Sequence, residues 1–121
     1  MREEKVSFIS DGLKISGVLA TPDDLAPGEK RPAIMVLHGF GSNKAASGCI
    51  EPCRMLTGMG YVTLRFDMRG CGESEGEKGR VICLEQVSDT RNALTFLQGL
   101  PQVDPRRIGC MGASFGAAVT V

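Results

Sequence analysis

The sequence predicts a three-layer α/β arrangement, an antiparallel hairpin leading into three parallel strands. Three observations carry this reading. Two runs of alternating apolar and polar residues flank an Asp-Gly pair near the start. Three short apolar runs follow, at residues 33–37, 61–66 and 108–111. Between them lie two segments whose apolar residues recur at helical spacing. Strands alternating with helices require right-handed crossovers, and so a largely parallel sheet. The 33–37 strand is expected between the other two, and the 121 residues fit one domain.

Val6–Ile9 and Leu13–Leu19 form the predicted hairpin across Asp11-Gly12. Residues 21–32 carry three prolines and a glycine and read as a surface loop. Ala33–Leu37 is continuously apolar, the mark of a strand buried on both faces. Residues 47–59 are predicted helical on the stripe Ile50, Cys53, Leu56 and Met59. Pro52 fits only a first turn, which puts the start of regular helix near Glu51, and Gly60 stops it. Tyr61–Phe66 is the next strand, and a polar, glycine-rich loop runs to Gly79. Residues 81–100 form the longest predicted helix, on the stripe Val87, Thr90, Leu94 and Leu97. Asp104-Pro105 reads as a turn before a short buried strand, Ile108–Met111.

Composition narrows the partners. Lys+Arg and Asp+Glu are both 14, so no basic excess exists to attract nucleic acid or anionic membrane, and neither is expected as a partner. The charged start lacks a signal peptide's apolar core, and the five-residue run 33–37 cannot span a bilayer. A soluble, cytoplasmic protein is expected. An odd count of cysteines, five, argues for reduced thiols. Cys49 and Cys53 share a helix face and, with His38, are the one candidate metal set. Without a C-x-x-C pair, and with a single histidine, they read as buried thiols; no metal and no cofactor are expected.

The chemistry concentrates at Gly112-Ala113-Ser114-Phe115-Gly116, which follows the last predicted strand and opens a run of small, helix-compatible residues. G-x-S-x-G in a strand-to-helix context is the pattern of a nucleophile elbow. A sharp turn lifts the serine hydroxyl clear of the sheet. Strand and helix then pass so close that side chains two positions either side would collide, and Gly112 and Gly116 remove them. Phe115 would start the helix with its N–H facing an anion beside Ser114. His38-Gly39-Phe40-Gly41 after the 33–37 strand, and Asp67-Met68-Arg69-Gly70-Cys71-Gly72-Glu73-Ser74 after the 61–66 strand, lie at the carboxyl ends where open α/β sheets place ligands.

With these motifs in this order, the sequence resembles the α/β-hydrolase family, and Asp104-Pro105-Arg106-Arg107-Ile108-Gly109 is similar to the pattern of its dienelactone-hydrolase-like, feruloyl-esterase-like and Xaa-Pro-dipeptidyl-peptidase-like members. Residues 1–121 would be the N-terminal part of a single α/β-hydrolase domain. The resemblance implies a serine hydrolase with Ser114 as nucleophile and the N–H groups of Phe40 and Phe115 as oxyanion hole. Loss of one such donor typically costs about 3–4 kcal/mol of barrier. It gives His38, Gly39, Asp67, Arg69, Gly112 and Gly116 structural roles near the site, with Ser74 grouped with Asp67 and Arg69. The expected substrate is a small-molecule ester, thioester or amide. In this family the triad runs Ser, then Asp or Glu, then His, yet residues 115–121 hold neither an acid nor a histidine. The expectation is therefore a fold cut after the elbow, inactive by itself, and self-associating through the exposed edge of the 108–111 strand. Two alternatives stand beside this. One is a non-catalytic α/β module that binds a small ligand or pairs with another chain. The other is a nucleotide-binding protein, disfavoured because Lys44 stands where a dinucleotide fingerprint needs its third glycine.

Overall fold

The computed structural model of the chain describes residues 1–112. Its elements are β1 (Arg2–Ser10), β2 (Leu13–Thr21), β3 (Arg31–Leu37), α1 (Ser47–Gly58), β4 (Val62–Phe66), α2 (Cys83–Gln98) and β5 (Val103–Gly112). The strands form one sheet in the order β1-β2-β4-β3-β5. β1, β2 and β4 pair antiparallel in succession, and β3 lies parallel between β4 and β5, as expected.

The hairpin closes on two residues, Asp11 and Gly12, both with positive φ (50° and 80°). That turn matches the right-handed twist of its strands. Alternation along β3 sends Met35 and Leu37 to one face and Ile34 and Val36 to the other. The first face meets α2 through a large core that includes Phe8, Ile15, Leu64, Phe66, Ala93 and Leu97. Phe8 stands edge-on to Phe66 and stacks on Phe96, with centroids 5.6 and 5.4 Å away. The second face meets α1 through Val36, Cys49 and Cys53. The sheet is thus sandwiched between helices. Neither helix is long and apolar enough to cross a membrane.

Both helices depart from the sequence reading. α1 starts at Ser47, not near Glu51, and Pro52 lies inside it. The proline forfeits one backbone bond to Gly48, but the earlier turn buries Cys49. The buried row is Cys49, Cys53 and Thr57, while Met59, expected on the stripe, is 66% exposed. Thr57 belongs to that row because its hydroxyl donates to the Cys53 carbonyl and meets the Thr63 hydroxyl of β4. The helix ends as expected: Gly60 N–H donates to Thr57 O and Tyr61 N–H to Leu56 O, the Schellman pair. α2 is shorter than 81–100, and its most buried row is Gln86, Asp89, Ala93 and Leu97. Val87 and Leu94 are only partly buried against the core.

β5 is longer than expected, and beyond the fully buried Val103 it is not buried. The Asp104-Pro105 turn survives as an irregularity within it: Asp104 Oδ1 accepts the Arg106 N–H, and the pairing with β3 jumps between Val103 and Ile108. β5 is the edge strand among the described residues, so its side chains are half-buried or exposed from Asp104 onward. An edge tolerates Pro105, whose missing N–H no neighbour needs.

A buried polar cluster fastens the hairpin to α2. Asp89 is fully buried; it accepts from Ser10 Oγ at 2.6 Å and from the backbone and guanidinium of Arg69 at 2.8–3.3 Å. Arg69 also reaches Asp11 in the hairpin turn at 2.6 Å. Removing one partner of a buried pair strands the other charge. Asp89→Ala is therefore expected to lower the urea unfolding free energy by about 3–5 kcal/mol. A loss under about 1 kcal/mol, the value of a surface pair, would contradict this account.

Candidate active site

The parallel register brings the carboxyl ends of β3 and β5 side by side. Leu37 at the end of β3 pairs with Gly112 at the end of β5. Adjacent strands lie about 4.8 Å apart. The loop beginning at His38 therefore leaves the sheet beside the end of β5. Phe40 is three residues beyond one partner, and Ser114 is two beyond the other. Ser114, Phe115 and Gly116 themselves lie outside the described residues.

His38 is 2% exposed and fully engaged. Its Nε2 accepts the Met68 N–H at 3.0 Å, so Nε2 carries no proton. Nδ1 carries it and donates to the Gly39 carbonyl at 2.8 Å. With its only lone pair taken, the imidazole is a strut between the β3 and β4 loops; a general base needs that lone pair for the nucleophile's proton. Beyond His38, Ser42 N–H donates to Gly39 O at 3.1 Å, closing a turn with Phe40 and Gly41 at its centre. Gly41 has φ +64°, and the Phe40 side chain is 68% exposed.

Asp67 anchors the far end of that loop. Its carboxylate, fully buried, accepts Lys44 N–H at 2.7 Å, Lys44 Nζ at 2.6 Å and Glu73 N–H at 2.9 Å. Lys44 Nζ also reaches Glu73 at 2.7 Å, and the Lys44 carbonyl accepts from Arg65 Nε at 3.0 Å. Burial opposes charge on Lys44, but the bonds to Asp67 and Glu73 outweigh it and raise its pKa. Lys44, then Lys5, holds the Glu73 carboxyl down at about 2. The rest of the 67–74 motif encloses Asp67. Ser74 Oγ donates to the Asp67 carbonyl at 2.6 Å and accepts Ser16 N–H at 2.9 Å. Gly72, at φ +50°, lies so close that a Cβ there would be 2.3 Å from the carboxylate carbon.

Asp67, Arg69 and Ser74 fasten the loops through these bonds. The sequence reading missed Lys44, Arg65 and Asp89. A lysine seven residues after the β3 strand and a charged residue inside an apolar strand were the available signals. The candidate metal set does not assemble. Both His38 nitrogens are occupied, and burial, with Cys53 beside it, pushes the Cys49 thiol up to about 11, away from the thiolate a metal needs. Among the described residues no three His, Cys, Asp or Glu side chains cluster to hold an ion. Cys110 is likewise raised to about 11 by burial.

The crowding around Asp67 can be tested. Gly72→Ala adds left-handed strain and a collision with a buried carboxylate, and is expected to cost about 3 kcal/mol or more. Gly79→Ala in the same loop has similar strain (φ +81°) and no described atom within 4 Å. Its expected cost is about 1–2 kcal/mol. Equal losses in chemical denaturation would contradict the packing.

Comparisons with known proteins agree with this architecture. A family model described as X-Pro dipeptidyl-peptidase (S15 family) matches residues 11–121. An uncharacterised 31.7 kDa protein of the traX-finO intergenic region of Escherichia coli is 35% identical over 89 residues, 72% of this chain and 30% of that protein. The thiohydrolase aneE of Aspergillus aculeatus is 35% identical over 121 residues, 97% of this chain and 36% of the relative. The chain therefore spans 30% and 36% of the lengths of these two curated relatives. Among solved structures, the α/β hydrolase GrgF of Penicillium sp. sh18 superposes with a TM-score of 0.90 at 27% identity, covering 99% of this chain and 40% of GrgF. A match across nearly the whole chain, on the sheet order and loops described above, places the chain in the X-Pro dipeptidyl-peptidase (S15) family, with the α/β-hydrolase fold.

Proposed function

We propose that this chain carries the nucleophile and oxyanion hole of a serine hydrolase that cleaves a small-molecule ester, thioester or amide through a Ser114 acyl-enzyme. The observation that supports the reading is the Leu37–Gly112 pairing, which ends β5 beside the start of the His38 loop, Gly112 being the residue that opens the G-x-S-x-G pattern in the sequence. In this reading Ser114 Oγ attacks the acyl carbon, its proton passes through a general base to the leaving group, and the alcohol, thiol or amine departs to leave the acyl-enzyme. The Phe40 and Phe115 N–H groups stabilise the oxyanion, and water releases the acid. Gly112 and Gly116 give the elbow its clearance. Kinship with a thiohydrolase supports acyl transfer as the chemistry. Residues 115–121 hold no acid or histidine, and His38 is committed to Met68, so neither supplies the general base of this reading. Solubility in the cytoplasm belongs to the same reading, as does pairing of the β5 edge with a further strand or a second copy.

A graft tests this. Replacing the matching region of the thiohydrolase aneE with residues 1–121 is expected to give a folded chimera that hydrolyses an activated thioester. Ser114→Ala should reduce its kcat at least about a thousandfold. The 121-residue chain alone should show no rate that Ser114→Ala abolishes. A folded chimera indifferent to Ser114→Ala would overturn the proposal in favour of a non-catalytic binding module.

A further inference from the structure

The loop between β3 and α1 is held at both ends by one body. At its start, His38 Nε2 accepts Met68 N–H. At its end, Lys44 makes four bonds: N–H to Asp67, Nζ to Asp67 and to Glu73, and its carbonyl from Arg65. Every partner lies between residues 65 and 73, on β4 or the loop after it. That loop is itself tied down, through Arg69 to Asp89 and through Ser74 to Ser16. The turn bearing Phe40 hangs between these two anchors.

We propose that Lys44 is a positioning residue for the oxyanion donor, its ammonium setting where the Phe40 N–H stands by clamping the loop to Asp67 and Glu73. The inference rests on the serine-hydrolase reading. The ammonium is suited to this task because two carboxylates converge on it. Asp67 is fully buried and Glu73 is 58% exposed, so the lysine separates like charges that would otherwise face each other. Without it the Glu73 turn would move away from Asp67, and the backbone bond from Lys44 to Asp67 would lose its fixed acceptor. Oxyanion donors act only if preorganised where charge develops, and a misplacement of about 1 Å can cost about a hundredfold in rate. A surface lysine four residues from the donor could not impose this; one 7% exposed and bonded through backbone and side chain can.

The test uses the full ¹⁵N-labelled chain with Lys44→Met and, as a milder change, Glu73→Gln. Amide hydrogen exchange is read at Ser42, whose N–H closes the turn, with the amides of α2 as reference. Ser42 is expected to exchange at least tenfold faster in Lys44→Met and severalfold faster in Glu73→Gln, with α2 unchanged. An unchanged Ser42 rate, or an equal acceleration throughout α2, would overturn the proposal. In the Ser114-dependent chimera assay, Lys44→Met should lower kcat about ten- to a hundredfold with KM within about twofold. A raised KM at constant kcat would also overturn it. If the unsubstituted chimera shows no Ser114-dependent rate, the hydrolase reading fails by itself, and the Ser42 exchange decides the clamp.

Discussion

The buried carboxylate of Asp67 is the constraint on which the arrangement at the carboxyl end of the sheet depends. A lone carboxylate removed from water is costly, and the cost is offset only when ion pairing and hydrogen bonds satisfy it together. Here one ammonium and two backbone N–H groups converge on it. These donors come from two different loops, so satisfying the charge and joining the loops are one event. Gly72 permits the approach, Ser74 secures the Asp67 backbone, and the β3 loop gains a fixed end.

The consequence is a site scaffold that exists before any chemistry. His38 and Lys44 both lean on the β4 loop, Arg69 and Asp89 bind that loop to α2, and Asp11 draws in the hairpin turn. The hairpin is thereby coupled to the geometry of the loops at the carboxyl end of β3 and β4. Parallel pairing of β3 with β5 supplies the remaining relation, bringing Gly112 to the same end of the sheet. Family membership and the shared fold fit this division, in which β-strand ends and loops carry the site while the strands hold the core.

What was legible in the sequence followed local rules. Asp11-Gly12 specified the hairpin turn, Gly60 the Schellman end of α1, and the three apolar runs the parallel strands, although the third proved an edge and not a buried strand. The misreadings share another cause. Apolar spacing alone placed α1 on Ile50 and Met59. The structure instead buries Thr57, whose hydroxyl is satisfied by Cys53 and Thr63, and so rotates the helix. The same bias hid Gln86 and Asp89 on α2; Asp89 is buried because Arg69 waits for it. Pro52 suggested a later start, but burial of Cys49 against Val36 outweighed one lost backbone bond. Lys44 read as a failed glycine fingerprint, and nothing within its own segment reveals a partner 23 residues away.

The measurement that tests the central claim most directly is a double-mutant cycle between Lys44→Met and Asp67→Asn, read as unfolding free energy in urea. If the carboxylate and the ammonium join the two loops as one unit, the two changes will be non-additive, with a coupling of about 1–3 kcal/mol. Additivity within about 0.5 kcal/mol would show that the loops are held independently, and would contradict the account.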